Sequence, residues 1–206
     1  MRVPQVFVRG NPAAKGEAVP RRFLQILSGP QRAPFADGSG RLELAYAIAN
    51  RANPLTPRVI MNRLWLHHFG EGIVTTPDDF GTQSAPPSHH ELLDWLSMTF
   101  MDSSWSLKRM HKIIMLSNTY QQSSANNPRF AQIDPFNRLL WRANIRRLDF
   151  EAFRDSLLTM AGVLDTSLYG PPVNLVSEPF SHRRSIYGYI DRGNVPEIMS
   201  LFDFSD

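Results

Sequence analysis

Residues 88–120 read SHHELLDWLSMTFMDSSWSLKRMHKIIMLSNTY, and their apolar pattern decides the fold class. Ser88, with Glu91 three positions later, matches a capping box, which marks the first turn of a helix. The apolar residues that follow have helical spacing: Leu92, Leu93, Leu96 and Phe100. Ser106 is predicted to cap a second helix, with a stripe at Met110, Ile113, Ile114, Ser117 and Tyr120. The two helices are predicted to form an antiparallel hairpin.

Helical spacing continues on both sides of this hairpin. One helix is predicted from Arg41 to just before Asn53-Pro54. A second is predicted from Thr56-Pro57 to Gly70, because threonine caps helices and proline suits the first turn. A short helix is predicted near residues 136–141. Asp149 is predicted to cap a last helix, ended or loosened by Gly162, with an apolar stripe at Phe153, Leu157, Met160 and Leu164.

Two short segments have the alternating pattern of strands, Gln5 to Arg9 and Arg183 to Arg192. They are predicted to pair and so to join the two ends of the chain. The predicted fold is therefore mainly α, an irregular helical domain with a minor two-stranded β element that pairs the N- and C-terminal regions. Residues 1–40 are predicted to be an irregular segment with one short strand, and residues 41–206 the helical domain.

Composition excludes several classes of protein. Hydrophobic residues make up 42% and charged residues 20% of the 206, which excludes a disordered chain. The net charge of +3 is too small and too dispersed to indicate a nucleic-acid partner, and no apolar run is long enough to span a bilayer. The chain has no cysteine, which excludes disulfides, thiolate catalysis and covalent haem attachment. No signal peptide is recognisable at the start of the sequence.

Charged residues near Asp149 form the strongest candidate site, and helical spacing places Glu151 beside Arg154 and Asp155. This pattern suits a structural salt-bridge network, the favoured interpretation, or a site for an anionic or sugar ligand. Asp78 and Asp79 follow His67 and His68 closely, and a composite acid–base site is the less favoured interpretation of them. No metal site and no catalytic residue is predicted. The candidate ligand-binding residues are Asp78, Asp79, Arg147, Asp149, Glu151, Arg154, Asp155, Arg183 and Arg184.

Several strings occur together in a fixed order: NRLWLHHFGEGIVTTPDDFG, PPSHHELLDWL, WSLKRMHKIIMLSNTYQQSS, DPFNRLLWRANIRRLDFEAFRDSLL and RRSIYGYIDRGNVPEIMSLFDFSD. Over residues 41–206 the chain resembles the C-terminal domain of unknown function of large planctomycete and verrucomicrobial exported proteins. In those proteins a cytochrome c-like domain and another uncharacterised domain come first. Where the family typically has the proline of the string H-P-E-L-L-D, this chain has His90. The family's domain normally continues past FDFSD, so the resemblance implies a domain truncated at its C-terminus.

The resemblance implies no activity and no catalytic residues. It implies a periplasmic or cell-surface location for the full-length protein, with haem only in an upstream domain and no cofactor in this chain. The partners it implies are the other domains of the same protein. The function expected is an interaction or scaffold domain. The alternative is a domain that binds or acts on polysaccharide through the acidic and arginine residues, which a deep pocket joining Asp78, Asp79, Arg147 and Arg183 would favour.

Overall fold

A computed structural model describes residues 4–202 of the chain. It divides into two compact units, residues 1–144 (unit 1) and 145–206 (unit 2). The division at residue 40 predicted from the sequence stays a prediction. Among the described residues, no helix is both long enough and apolar enough to cross a bilayer.

The described part of the chain is mostly helical, as predicted, with one small antiparallel sheet. Strands β1 (Gln5–Phe7) and β2 (Lys15–Ala18) pair with Gln5 opposite Ala18 and Phe7 opposite Lys15. The helices are α1 (Gln25–Ser28), α2 (Arg41–Ile48), α3 (Leu55–Phe69), α4 (His90–Asp102), α5 (Leu107–Met115), α6 (Asn118–Gln121), α7 (Pro128–Ile133), α8 (Phe150–Met160) and α9 (Glu197–Ser200).

The predicted pairing of the two chain ends is wrong, because β1 pairs with β2, only a few residues away. A local hairpin closes a much shorter loop and so loses less conformational entropy than a pairing across the whole chain. Residues 183–192 form a 3₁₀ turn at Ser185–Tyr187 and two isolated bridges, Asp165 with Arg183 and Val173 with Gly188. The Ser185 amide donates to the Asp155 carboxylate at 2.9 Å, so it is not available to a strand partner.

The core of unit 1 lies where α3, α4 and α5 meet. Its fully buried side chains include Met61, Leu93, Leu96 and Met110. The predicted α4–α5 hairpin is confirmed, and Trp105 at its turn packs edge-on against Phe100, with ring centroids 5.1 Å apart. Helix α3 ends at Gly70 as predicted, in the left-handed conformation (φ +87°) that glycine adopts without strain.

One buried amide fixes the loop that follows α3. Asn62 is 0% exposed; its Nδ2 donates to the Val74 carbonyl at 2.9 Å, and its Oδ1 accepts from the Val74 amide at 2.8 Å. Gly72 lies against this pair, and a Cβ there would overlap the Val74 carbonyl and the Asn62 side chain. One side chain therefore satisfies both the amide and the carbonyl of the buried Val74.

The helix starts were predicted with mixed success. Asp149 caps α8, accepting from the Ala152 amide at 2.7 Å, and Ser106 caps α5 in the same way. The capping box at Ser88 is wrong, since α4 begins at His90 and the Ser88 hydroxyl donates to the Ile73 carbonyl at 3.3 Å. The helix predicted near 136–141 is also wrong, because the Asp134 carboxylate accepts from the amides of Arg138 and Leu139 and holds turns there.

Unit 2 has a small core, formed by Phe150 of α8 with Leu175 and Met199. The remaining apolar stripe of α8 points outward: Phe153, Leu157 and Met160 are 41%, 51% and 85% exposed. The predicted stripe is confirmed at Phe153, Leu157 and Met160, but Leu164 lies beyond the end of α8 at Met160. Phe202 packs against the Phe153 ring, with centroids 5.4 Å apart, while Leu157 and Met160 stay more than half exposed.

An ion pair links α3 to α4 and makes stability depend on pH. Arg58 Nε donates to Asp94 Oδ1 at 2.7 Å, and this hydrogen bond is the main reason that the pKa of Asp94 is lowered. A lowered pKa in the folded state stabilises the fold above the pKa of the unfolded chain, about 3.9. The stabilisation is lost as the pH falls through the folded-state pKa.

We expect Asp94→Asn to unfold at a lower urea concentration than the wild type at pH 7. The difference between the two proteins should shrink as the pH is lowered below about 4, because the wild-type carboxylate then becomes neutral as well. Urea midpoints measured from pH 2.5 to 7 check this. A difference that stays constant over that range would show that the charge of Asp94 does not contribute.

Candidate functional site

The predicted acidic and arginine cluster contains one well-defined hydrogen-bond network, within unit 2. Asp155 accepts from the amide of Ser185 at 2.9 Å and from its hydroxyl at 2.7 Å. Arg154 donates to the carbonyls of Arg183, at 3.0 Å, and Ser181. The two side chains also approach each other, with Arg154 Nη1 3.5 Å from Asp155 Oδ1. Neighbouring residues of α8 thus bind the backbone of one segment, residues 181–185.

Arg183 contributes to the same region through its own side chain. Its guanidinium carbon lies 4.1 Å from the centroid of the Tyr187 ring, and its nitrogens donate to the carbonyls of Tyr169 and Pro171. These contacts fold the 169–171 loop onto the 3₁₀ turn. Arg184 is exposed, and its side chain makes no hydrogen bond or ion pair within residues 4–202.

The other predicted residues of unit 2 do not join this network. Arg147 lies over the Phe202 ring, 4.6 Å from its centroid. Asp149 is occupied with capping α8. Glu151 is half-buried and has no polar side-chain contact among the described residues. The structure therefore brings together Arg154, Asp155 and the segment that contains Arg183.

Asp78 and Asp79 belong to unit 1, in the loop after α3. Asp78 pairs with Arg63 of α3 at 2.7 Å, and both side chains are well exposed. Asp79 Oδ1 accepts from the amide of Gly81 at 2.8 Å, as an aspartate does in a turn. Neither contact has the geometry of an acid–base pair with His67 or His68.

A histidine pair in unit 1 was not foreseen from the sequence. His68 Nε2 of α3 lies 2.8 Å from His111 Nδ1 of α5, and Tyr120 packs edge-on against His68 with centroids 5.3 Å apart. For this hydrogen bond one of the facing nitrogens carries a proton and the other a lone pair. The pair links two core helices. Within the described residues, no third histidine, aspartate or glutamate joins it to make a metal-binding group.

A narrow cleft of only about 20 Å³ lies beside α3. Trp65 and Phe69, stacked with centroids 4.1 Å apart, form its apolar wall. The 137–144 loop forms another wall, and Asn144 Nδ2 ties that loop to the Phe69 carbonyl at 2.8 Å. The side chains of Glu71 and Arg138 also line the cleft.

Comparison with known protein families gives a match over most of the chain. The model of the family described as PSD1, protein of unknown function (DUF1553), matches residues 40–206. The chain belongs to this family. No curated protein and no solved structure matches the chain.

The PSD1 match covers both the histidine pair and the Arg154–Asp155 network. The Arg154–Asp155 network could be predicted from the sequence because its two key residues are adjacent on one helix. The histidine pair could not, because His68 and His111 are 43 residues apart and helical spacing cannot relate positions on different helices. His68 lies on the apolar face of its predicted helix, whereas His111 lies among Lys108, Arg109 and Lys112, so the sequence pattern did not relate the two.

Proposed function

We propose that this PSD1 domain is an interaction or scaffold domain of an exported multidomain protein that also carries a cytochrome c-like domain. The observation that supports an interaction role is the outward-facing apolar stripe of α8, formed by Phe153, Leu157 and Met160. The exported and cytochrome c-associated setting is supported by the resemblance of the sequence strings described above.

An apolar stripe on a helix normally faces a core, because removing its side chains from water is favourable. Contiguous apolar surface that stays exposed in a folded chain is typical of protein contact sites. Helix α2 has similar exposed side chains, Leu42, Tyr46 and Ile48.

The charged residues support the same conclusion. Arg154 and Asp155 make hydrogen bonds to the chain's own backbone and to Ser185, which accounts for their positions without a ligand. Action on polysaccharide through this cluster remains the alternative. It has less support, since it requires charged groups that face an open cleft.

Site-specific photo-crosslinking tests the proposal. A benzophenone amino acid is placed at Leu157 in the complete gene product, expressed in a host that matures cytochromes c. We expect crosslinks to segments of the same polypeptide outside these 206 residues, including haem-bearing peptides identified by mass spectrometry. The matched control is the same probe at Ser156, which is also exposed but points about 100° away around the helix.

Crosslinks at Leu157 should exceed those at Ser156 several-fold. Equal labelling at the two positions would show that the stripe is not a contact surface. Crosslinks confined to other proteins, with none to a haem-bearing peptide, would contradict the proposed setting.

A further inference from the structure

Unit 2 contains a groove of about 280 Å³ between the turn at residues 174–177 and the segment 189–199. Its apolar floor includes the core side chains Leu175 and Met199. The Tyr189 ring, 65% exposed, stands at its side. The groove therefore combines a flat aromatic surface with a buried apolar base.

The polar side chains of the groove retain hydrogen-bonding capacity. Asp191 Oδ1 accepts from the Gly193 amide at 2.9 Å, and no described residue contacts its second carboxylate oxygen. Asn194 is exposed, and its side-chain amide has no partner among residues 4–202. Asn174 Oδ1 accepts from the amides of Val176 and Ser177 and holds the opposite rim in place. Asn174 Nδ2 donates to the Ser177 hydroxyl, so the free donors and acceptors of the groove are those of Asp191 and Asn194, on the turn at residues 191–194.

These features match the chemistry of a sugar ring. A pyranose has an apolar C–H face that packs on an aromatic ring and equatorial hydroxyls that both donate and accept hydrogen bonds. Tyrosine gives a large amphipathic contact area, and carboxylate and amide groups satisfy hydroxyls in pairs. Ligand sites generally combine an apolar base with a few such polar groups.

The charge of the groove restricts the ligand further. The residues that line it include one carboxylate, Asp191, and no lysine or arginine. An anionic sugar, such as a sulfated or uronic one, would face this carboxylate without a compensating cation.

We propose that this groove binds a neutral saccharide, with the sugar face on Tyr189 and its hydroxyls bonded to Asp191 and Asn194. The site lies apart from the Arg154–Asp155 network and needs none of its charges. It is a binding function and involves no chemical step. It also does not depend on the contact role proposed for α8.

Affinity electrophoresis of the whole chain tests this site. Native gels contain one soluble neutral polysaccharide each: β-1,3-glucan, dextran, xylan, galactomannan or arabinogalactan. We expect at least one of them to slow the wild-type protein. Tyr189→Ala should weaken that affinity about tenfold, as loss of a central tyrosine does at other binding sites. The control Phe136→Ala removes an exposed aromatic side chain, 82% exposed, from unit 1 and should leave the affinity unchanged.

Asn194→Ala should also weaken binding, and it removes no aromatic packing. Hydrogen exchange of residues 181–190 shows whether each variant keeps the fold of unit 2. No retardation by any of the five polysaccharides would overturn the proposal. A Tyr189→Ala variant that binds like the wild type would also overturn it. Further gels contain polygalacturonate or a sulfated glycan at 150 mM salt, and retardation by these anionic polymers alone would be a third contradicting result.

Discussion

Asp155→Ala should lower the free energy of unfolding of unit 2 by about 2 to 3 kcal/mol. The carboxylate accepts from the amide and the hydroxyl of Ser185, a residue that is only 4% exposed. In the variant, the amide and the hydroxyl of Ser185 stay buried but have lost the carboxylate that accepted their hydrogen bonds. Hydrogen bonds to charged groups contribute about 1.5 to 3 kcal/mol each. Arg154 also loses the carboxylate that lies 3.5 Å away.

Hydrogen exchange of peptides from residues 181–190 measures this effect. Tryptophan fluorescence does not, since Trp65, Trp95, Trp105 and Trp141 all belong to unit 1. The control is Glu151→Ala, on the same helix, which should change the free energy by less than about 0.5 kcal/mol. Equal protection in Asp155→Ala and Glu151→Ala would show that the Asp155–Ser185 contact does not hold unit 2 together.

Asn62→Ala should destabilise unit 1 more strongly, by about 3 to 5 kcal/mol. The substitution leaves both the amide and the carbonyl of Val74 without the partner they have now, at 2.8 and 2.9 Å. Val74 is itself buried, so water cannot replace the lost bonds without opening the core. The space left by the amide adds to the cost.

Urea unfolding followed by tryptophan fluorescence measures this effect, because Trp65 is on the same helix as Asn62. The matched control is Asn118→Ala on the exposed first turn of α6, which should shift the midpoint very little. If Asn62→Ala unfolds at the same urea concentration as Asn118→Ala, the loop after α3 is not held by Asn62.

Short-range signals in the sequence correctly predicted the end of α3 and the start of α8. Gly70 ends α3 and Asp149 begins α8, because a left-handed C-terminal residue and a capping carboxylate act within one turn. Ser88 shows the limit of this reasoning. Its hydroxyl can cap a helix or bond a distant carbonyl equally well, and in the folded chain it bonds that of Ile73, 15 residues earlier.

Contacts between distant segments could not be predicted from the pattern. Residues 183–192 alternate like a strand, yet the Asp155 carboxylate takes the Ser185 amide that a strand partner would need. The stripe of α8 was identified correctly, but its spacing gives no indication of whether a neighbour covers it.

The candidate site was predicted in part. Arg154, Asp155 and the region of Arg183 were expected together and are together, because a helix fixes adjacent charges in space. Their role in ligand binding stays a prediction. The groove beside Tyr189 could not be foreseen, since its two rims come from turns whose relative position depends on the core of unit 2.

The Asp155–Ser185 contact also sets the order in which unit 2 can fold. Helix α8 forms from local interactions, but Ser185 follows Asp155 by 30 residues. After α8 ends at Met160, the chain up to Ser185 contains no helix and no strand beyond single bridges. Closing so long a flexible loop slows folding, because its entropy is lost before the contact is made. Helix α8 is therefore expected to form before the segment that contains Ser185 docks on it.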